Sequence, residues 1–219
     1  MDPRIHLVVA AASHNYAIGS NGLLPWRLKG DMLFFQLITT YFGIPPSALD
    51  TAPPNTPNYV IMGRRTWESI PSKFRPLPNR TNLILSRNPD FARNNPSLLT
   101  FATLDAAIAY AKGSKPATSS IFVIGGASVY AEALARPDCG YVFYTNVQVP
   151  QHALEGIKFD VFMPAEFMDG SAFRRVADEE VLSTILPRKV VAECCAGGDL
   201  TVSENGFQYE YQVYVRNNL

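Results

Sequence analysis

A single acidic residue stands at the start of an otherwise apolar segment. Asp31 is the only charged residue between Lys29 and Asp50, and it opens the run Asp-Met-Leu-Phe-Phe-Gln-Leu-Ile. In a helix, Asp31, Phe35 and Ile38 lie on one stripe at positions i, i+4 and i+7. A carboxyl group among apolar side chains favours its neutral form, so it can hold and release a proton near neutral pH. Asp31 is therefore a candidate catalytic acid.

A structural interpretation of Asp31 is equally available. Aspartate is a favoured N-cap, because its carboxylate accepts hydrogen bonds from the first backbone N–H groups of a helix. Gly30, immediately before it, suits a turn of the chain. Trp26, the first tryptophan of the chain, lies five residues before Asp31, an arrangement that suits an enzyme site around one acid. The segment alone leaves both interpretations open.

Three predicted strands end in residues that suit phosphate groups. These strand ends are Gly63-Arg64-Arg65-Thr66, Ser86-Arg87 and Gly125-Gly126-Ala127-Ser128. Glycine lets the backbone approach a ligand closely, helix N-termini offer free N–H groups, and arginine offers a bidentate cationic fork. Each feature alone is common in turns and on surfaces. Ligands of open α/β sheets bind outside the carboxyl ends of the strands, so three such ends in one sheet predict a dinucleotide site.

The arginines at these ends favour NADP, because an arginine commonly accommodates the 2′-phosphate. The G-x-G-x-x-G fingerprint is absent, which argues against an ordinary Rossmann site. A further isolated arginine, Arg80, ends the proline-stiffened segment 70–80 just before a strand. Such an arginine can hold a substrate carboxylate through two hydrogen bonds. A surface ion pair is the alternative for Arg80, and it stays open at this point.

The elements that would position these residues alternate between strand-like and helix-like segments. We predict strands over 5–12, 59–62, 82–85, 120–124 and 141–147, and helices over 31–42, 66–70, 104–111 and 128–135. Apolar strands that alternate with helices predict an α/β fold, in which a mostly parallel central sheet is covered by helices on both faces.

The last third of the chain has a different pattern. Apolar residues recur with a period of two over 207–215, which predicts a long antiparallel C-terminal strand. We expect its partner over 173–176 or 181–186. The segment 187–205 is expected to be a loop or a loose hairpin.

Length and composition predict one globular domain over 1–219, in the size range of a single hydrophobic core. The segment 43–58 holds five of the 17 prolines and is expected to be a surface insertion. Lys and Arg total 19, as do Asp and Glu, which argues against a nucleic-acid groove or an anionic-membrane surface. The apolar run 5–12 is too short to span a bilayer and lacks the form of a signal peptide. We therefore expect a cytoplasmic protein.

Cysteine and histidine give no metal or disulfide pattern. Cys139 stands alone, and Cys194 and Cys195 are adjacent, so there is no spaced ligand pair and no even disulfide framework. The three histidines are scattered along the chain. We expect no metal site.

Several blocks of the chain resemble the dihydrofolate reductase family in its fungal form. The blocks are 18–26 (Ile-Gly-Ser-Asn-Gly-Leu-Leu-Pro-Trp), the Asp31 segment, 60–70, 75–80 (Arg-Pro-Leu-Pro-Asn-Arg), 83–87, 123–130 and 207–214, and they follow the family order. The resemblance implies a cytoplasmic enzyme that uses NADPH to reduce 7,8-dihydrofolate to 5,6,7,8-tetrahydrofolate for one-carbon metabolism and thymidylate synthesis. It also implies binding of antifolate-type small molecules. By default we expect a monomer without an obligate protein partner.

The resemblance implies roles for individual residues. The catalytic residues would be Asp31, which assists protonation of N5 while C6 receives the hydride, Thr145, which orients the carboxylate, and Trp26, which helps fix a water. Dihydrofolate would contact Val9, Ala10, Met32, Phe35, Ser69, Ile70, Leu77, Arg80 and Ile124, with Arg80 on the glutamate carboxylate. NADPH would contact Ala11, Ile18, Leu24, Gly63, Arg64, Arg65, Thr66, Ser86, Arg87, Gly125, Gly126, Ala127, Ser128, Val129 and Tyr130. The Gly125–Gly126 peptide bond is expected to be cis.

The chain departs from the family pattern in places. Fungal and animal members usually carry glutamate at the position of Asp31, so the carboxylate here reaches less far. Leu23 and Leu24 make the loop before Trp26 more apolar than in many relatives. Val161 stands where threonine is frequent, which puts hydrogen bonding between the loops near Asp160 in doubt.

Two other functions are compatible with parts of the pattern. The pyrimidine reductase of riboflavin synthesis shares the fold and the NADPH chemistry, but the Leu-Pro-Trp loop, Asp31 and the segment that ends in Arg80 oppose it. A non-catalytic folate- or nucleotide-binding module would need a missing acid or a broken cofactor site, and neither is seen in the sequence.

Overall fold

The described residues form a nine-stranded sheet. The computed structural model describes residues 4–44, 56–114, 119–164 and 166–217. The strands are β1 (Ile5–Ala12), β2 (Ala17–Gly19), β3 (Asn58–Gly63), β4 (Arg80–Leu85), β5 (Leu99–Phe101), β6 (Ile121–Val123), β7 (Cys139–Gln148), β8 (Val161–Phe162), β9 (Phe173–Arg175), β10 (Thr201–Glu204) and β11 (Phe207–Arg216). The α-helices are α1 (Lys29–Tyr41), α2 (Arg64–Ser69), α3 (Pro89–Asn94), α4 (Leu104–Ser114), α5 (Ala127–Leu134), α6 (Gln151–Leu154), α7 (Asp178–Glu180) and α8 (Arg188–Cys194).

The sheet is mostly parallel, as predicted. Its strand order is β10-β11-β7-β1-β6-β3-β4-β5, and β9 pairs with the second half of β11. Strands β7, β1, β6, β3, β4 and β5 are parallel to one another, whereas β11 is antiparallel to β7, β9 and β10. Strands β2 and β8 form a separate antiparallel pair. The carboxyl ends of the parallel strands therefore meet at one edge.

Both faces of the sheet are covered, because alternate side chains of its central strands enter different cores. In β1, Leu7 and Val9 belong to the core that includes Ala107 of α4 and Ala133 of α5. Val8 belongs to the core beneath α1, which it shares with buried apolar side chains of that helix. The prediction of helices on both faces is confirmed. Across the described residues, no helix combines the length and the apolar character needed to cross a membrane.

The last third of the chain contains more regular structure than predicted. The strand β11 and its partner β9 are confirmed. The alternative partner, 181–186, is wrong, because residues 181–185 form a π-helical turn. The loop or loose hairpin predicted over 187–205 is wrong for the first half of the segment, which forms α8, whereas β10 at its end pairs with β11 in a hairpin. Helix α8 buries Val190 and Cys194 in the core beneath α1, and Lys189 lies over the Tyr41 ring at 4.9 Å.

Two predictions remain without a structural test. The proline-rich insertion at 43–58 falls largely on residues 45–55, which lie outside the described residues. The single domain over 1–219 also stays a prediction.

Asn58 ties the C-terminal end of α1 to the sheet. Its fully buried amide nitrogen donates to the carbonyl oxygens of Thr39 (3.1 Å), Thr40 (3.4 Å) and Phe42 (3.1 Å). Its amide oxygen accepts a hydrogen bond from the Ser120 N–H at 2.7 Å. The last carbonyl groups of a helix have no hydrogen-bond donor within the helix. The Asn58 side chain on β3 supplies this donor at the end of α1.

Asn58→Ala should lower the free energy of unfolding by about 3 kcal/mol, because it leaves buried carbonyl groups without donors. Denaturant unfolding measures this loss. Asn95→Ala is a matched control, since Asn95 donates one part-buried bond to the Phe91 carbonyl (2.8 Å) and its loss should cost about 1 kcal/mol. Equal losses in the two variants would contradict the role of Asn58 at the end of α1.

Candidate active site

The two neighbours of β1 follow it for different lengths. Strand β6 pairs only with the first three residues of β1, as far as Leu7, whereas β7 pairs with β1 as far as Ala12. The chain after β6 stays beside β3, where the Ile124 N–H donates to the Ile61 carbonyl at 2.9 Å. The edge of β1 that faces β6 therefore has no strand partner beyond Leu7 among the residues that the structure describes. This opening between residues 8–12 and residue 124, here named the central gap, lies where α/β sheets bind ligands.

Asp31 lies in the first turn of α1 and is not its cap. Leu28 is the N-cap residue and its side chain makes no capping hydrogen bond. The helix begins at Lys29, two residues before the predicted start at Asp31. The interpretation of Asp31 as the N-cap is therefore wrong. Its side chain is buried, with a relative exposure of 7% for the residue, so the structure encloses this carboxyl group within the protein.

Burial raises the pKa of Asp31 to about 6, from an ordinary value near 3.8. Hydrogen bonding with the Thr145 side chain acts in the opposite direction, and the negative charge of Glu204 adds to the increase. The cause is the loss of hydration that the ionised carboxylate suffers in apolar surroundings. A carboxyl group with this pKa is present in both protonation states near neutral pH, as a proton-transfer group must be.

Three further polar side chains belong to the predicted site. Thr145 on β7 is buried and stands opposite Ala10 in the pairing with β1. Trp26 is buried, and its indole Nε1 has no hydrogen-bond partner among the described residues. The Tyr130 hydroxyl donates to the Val8 carbonyl at 2.7 Å, on the gap-facing part of β1. The structure thus brings Thr145 to Asp31 and leaves the Trp26 N–H as an unused donor.

Glu204 is the residue that sequence reasoning missed. This carboxylate, at the end of β10, accepts hydrogen bonds from the backbone N–H groups of Lys29 (2.7 Å) and Gly30 (2.9 Å). It therefore occupies the start of the helix that carries Asp31. Glu204 and Gly30 are 174 positions apart in sequence, and no local pattern signals such a contact.

The three glycine- and arginine-bearing strand ends lie side by side. Gly63, at the end of β3, is in register with the last residue of β4, which Ser86 follows. The Gly63 N–H donates to the Gly125 carbonyl at 2.7 Å. A Cβ added to Gly126 would lie 3.5 Å from the Thr66 hydroxyl oxygen. The Gly125–Gly126 peptide bond is cis, as the family resemblance implied. The predicted clustering of these ends is found in the structure.

The cations at these ends are not equivalent. Arg64 forms an i, i+4 salt bridge with Glu68 at 3.0 Å. Arg65 and Arg87 are exposed, and neither forms a salt bridge with any residue that the structure describes. Helix α5, at the same edge, begins at Ala127, and its N-cap residue Gly126 has no side chain to cap it. Two uncommitted guanidinium groups and an uncapped helix start favour binding of an anion.

Arg80 is buried and held on three sides. Its Nε donates to the Pro78 carbonyl (3.0 Å) and its Nη1 to the Thr39 hydroxyl (2.8 Å), while the guanidinium carbon lies 5.6 Å from the centre of the Phe35 ring. Burial lowers the pKa of Arg80 to about 10, which leaves it cationic at neutral pH. No carboxylate in the described ranges forms a salt bridge with it. The interpretation as a surface ion pair is therefore wrong for the described residues.

The apolar residues assigned to ligand contact differ in exposure. Met32 and Leu24 are exposed, at 48% and 52%, which is unusual for large apolar side chains beside a buried acid. The half-buried members of the set are Ala10, Ile18, Phe35 and Ile70, and the buried members are Val9, Ala11, Leu77, Ile124 and Val129. The Ser69 hydroxyl donates to the Thr66 carbonyl at 2.7 Å, so this group already has a partner within the protein.

The loop before Trp26 is hydrogen-bonded to the segment around Asp160. The Asn21 N–H donates to Asp160 Oδ2 and the Ser20 hydroxyl to the Lys158 carbonyl, both at 2.8 Å. Hydrogen bonding between these loops, which the valine at position 161 had put in doubt, is therefore present. Exposed Leu23 and Leu24 lie in the same loop.

The fold and the geometry define an α/β enzyme in which one buried acid lies beside a row of strand ends suited to anions. A family model described as dihydrofolate reductase matches residues 54–184. The chain is 38% identical over 176 residues to the dihydrofolate reductase of Heliothis virescens, covering 80% of this chain and 85% of that protein. It is 31% identical over 216 residues to the dihydrofolate reductase of Candida albicans, with 98% of each chain covered.

A third relative is the bifunctional dihydrofolate reductase-thymidylate synthase of Daucus carota, which is 39% identical over 177 residues. The match covers 79% of this chain but 30% of that longer protein. The chain belongs to the dihydrofolate reductase family. The predicted family is thereby confirmed, and the matches do not support the pyrimidine reductase interpretation.

Asp31→Asn should stabilise the folded protein at neutral pH. The pKa of Asp31 is about 6 in the folded state and near 3.8 in the unfolded state. Between these pH values the folded state binds more protons than the unfolded state, so the protein loses stability as the pH rises through them. Asparagine does not ionise. The variant should therefore gain about 3 kcal/mol over wild type at a pH of about 8, and less than about 1 kcal/mol at a pH of about 4.

Denaturant unfolding at both pH values measures this difference. Glu155→Gln, which removes an exposed carboxylate that forms no salt bridge with any described residue, should leave the wild-type pH dependence unchanged. A gain for Asp31→Asn that is equal at both pH values would show that burial of the ionised form is not its cause.

Proposed function

We propose that this protein catalyses the NADPH-dependent reduction of 7,8-dihydrofolate to 5,6,7,8-tetrahydrofolate. The observation that carries the proposal is the Asp31 carboxyl group, buried beside Thr145 with a pKa raised to about 6. Membership in the dihydrofolate reductase family supports the choice of substrate and cofactor. The reaction supplies tetrahydrofolate to one-carbon metabolism and thymidylate synthesis.

In this proposal Asp31 is the acid that assists protonation of N5. The apolar surroundings of the carboxyl group favour its neutral form, so a proton is held at the site near neutral pH. Thr145 orients the carboxyl group, because its side chain hydrogen-bonds with Asp31. The Trp26 N–H, which has no partner in the described part of the protein, is a donor that can fix a water or a ligand atom.

The row of strand ends fits NADPH. Gly63 and Gly126 keep the backbone free of side chains where the strand ends meet, and Arg65 and Arg87 offer cationic groups without a described carboxylate partner. Arg87 is assigned to the 2′-phosphate, which distinguishes NADPH from NADH. When bound, NADPH supplies the hydride that C6 of dihydrofolate receives. The remaining cofactor contacts are assigned to Ala11, Ile18, Leu24, Arg64, Thr66, Ser86, Gly125, Ala127, Ser128, Val129 and Tyr130.

Arg80 is assigned to the glutamate carboxylate of dihydrofolate. Its guanidinium group is fixed by Thr39 and Pro78, so little side-chain freedom is lost when a carboxylate binds. A planar fork that is already oriented suits bidentate recognition. The pterin and benzoyl rings are assigned to Val9, Ala10, Met32, Phe35, Ser69, Ile70, Leu77 and Ile124. Antifolate-type small molecules would occupy the same surface.

We infer that the chain acts as one domain in the cytoplasm, as a monomer without an obligate protein partner. All described strands except β2 and β8 belong to one sheet, which supports a single domain. All three cysteines are buried thiols, which is typical of proteins in a reducing compartment.

Asp31→Asn should lower the turnover of dihydrofolate about a hundredfold or more at neutral pH, because the variant cannot supply the proton. The affinity for NADPH should stay within about twofold, since Asp31 is not assigned to the cofactor. The loss of NADPH absorbance upon adding dihydrofolate measures the rate, and fluorescence titration measures the affinity. Inactive wild type in folded form would refute the proposed function, whereas a fully active variant would refute only the role of Asp31.

Arg80→Leu should weaken dihydrofolate binding by about 2 to 4 kcal/mol, because it leaves a substrate carboxylate without its charged partner. A pterin substrate without the glutamate should be affected far less. The KM values of both substrates in wild type and variant measure the difference. Arg93→Leu is the control, since Arg93 is an exposed arginine paired with Asp90. Equal losses for the two substrates would exclude the clamp.

A further inference from the structure

The helix that carries Asp31 is capped by a residue from the other end of the chain. Glu204 accepts hydrogen bonds from the backbone N–H groups of Lys29 and Gly30, through Oε1 and Oε2 respectively. Leu28, at the N-cap position, offers no side-chain acceptor. The first N–H groups of a helix need partners from outside it. One carboxylate in the β10–β11 hairpin supplies two of them for α1.

The hairpin fits closely around this first turn. The Tyr209 hydroxyl donates to Glu204 Oε2 at 3.2 Å, and a Cβ on Gly30 would overlap that hydroxyl group. The next inward side chain of β11, Tyr211, stacks on Phe34 with ring centres 4.1 Å apart. The hairpin therefore contacts α1 on both sides of Asp31, at Lys29 and Gly30 and again at Phe34, and it leaves no room for a side chain at position 30.

Glu204 is also the charged neighbour of the buried acid. Burial acts to raise its pKa, but hydrogen bonds from Gly30, Lys29 and Tyr209 lower it, so Glu204 is ionised at neutral pH. Four other titratable groups among the described residues interact with Asp31. All four are uncharged at neutral pH, because burial raises the pKa of each. They are Tyr130 on α5, Cys194 on α8, and Tyr209 and Tyr211 on β11.

We propose that Glu204 is a positioning residue for the reaction proposed above, because it fixes the first turn of α1 and with it the Asp31 carboxyl group. The inference rests on the proposed function only for its effect on turnover. The hydrogen bonds set where the carboxyl group lies. The negative charge of Glu204 opposes ionisation of Asp31, so Asp31 remains protonated to a higher pH.

Glu204→Gln tests this role, since it keeps the size of the side chain, removes the charge and leaves one acceptor for two N–H donors. In the protein without ligands, the titration of the Asp31 carboxyl carbon, followed by NMR, should move down by about half a pH unit. The falling limb of the pH profile for turnover should move in the same direction. At a pH above both values, a shift of this size lowers the protonated fraction about threefold. NADPH affinity should not change.

Glu210→Gln is the matched control. Glu210 lies in the same hairpin, where it pairs with Arg175, and it does not contribute to the pKa of Asp31. Both variants remove one negative charge from one hairpin, but only Glu204→Gln should move the Asp31 titration. A residue that merely stabilises the fold would lower the unfolding temperature and leave both titration and pH profile unchanged. That result would overturn the proposal.

Hydrogen exchange in the wild type gives a test that does not depend on the folding of a variant. After correction for intrinsic rates, the Lys29 and Gly30 amides should lose protection at acidic pH as Glu204 is protonated, below the pH range of an ordinary glutamate because hydrogen bonds lower the Glu204 pKa. Unchanged protection would contradict the cap. Since the NMR titration and the exchange need no substrate, they also separate this inference from the proposed function. If the wild type were inactive on dihydrofolate but showed both the shifted Asp31 titration in Glu204→Gln and the loss of amide protection, the proposed function would be refuted and the positioning of Asp31 by Glu204 would stand.

Discussion

Helix α1 is held at both ends by side chains from distant parts of the chain, and the position of Asp31 depends on this. Glu204 accepts hydrogen bonds from two N–H groups at its start, and Asn58 donates to the carbonyl groups at its end. Between them, Phe34 stacks on Tyr211. Asp31 itself does not stabilise the position of the helix, because an ionised carboxylate in apolar surroundings is unfavourable. The site is therefore a consequence of how the helix ends are bound.

The central gap has a comparable origin in strand pairing. Strand β1 keeps β7 as a partner to its last residue but loses β6 after Leu7, because the chain beyond β6 stays with β3. This divergence leaves one edge of β1 without a strand partner, in the part of the chain that the structure describes, beside a buried acid. Both features are unfavourable for a fold in isolation, and they occur together where Thr145 and Ala10 face each other. Their coincidence is typical of a site where stability is lowered for function.

The features that could be predicted from the sequence are those with local signals. Continuous apolar strands, the period of two in β11, and the glycines and arginines at the strand ends identified the sheet and the edge where its parallel strands meet. Helix α8 escaped prediction because it has only seven residues and buries two of them, Val190 and Cys194, too few for a clear period. Asp31 was compatible with an N-cap because local sequence does not show that Glu204 occupies that place. The burial of Arg80 against Thr39 is likewise a tertiary contact, 41 positions apart.

The shorter acid at position 31 makes the helix cap more important. The family resemblance leads us to expect glutamate at this position, and a glutamate side chain has one more rotatable bond with which to adjust its carboxyl group. Aspartate has less freedom, so the location of its carboxyl group follows the backbone of α1 more closely. A small shift of the first turn would move the acid relative to Thr145 with little possibility of correction by the side chain. A rigid first turn, bonded to Glu204 and packed against Tyr209, is therefore what an aspartate at this position requires.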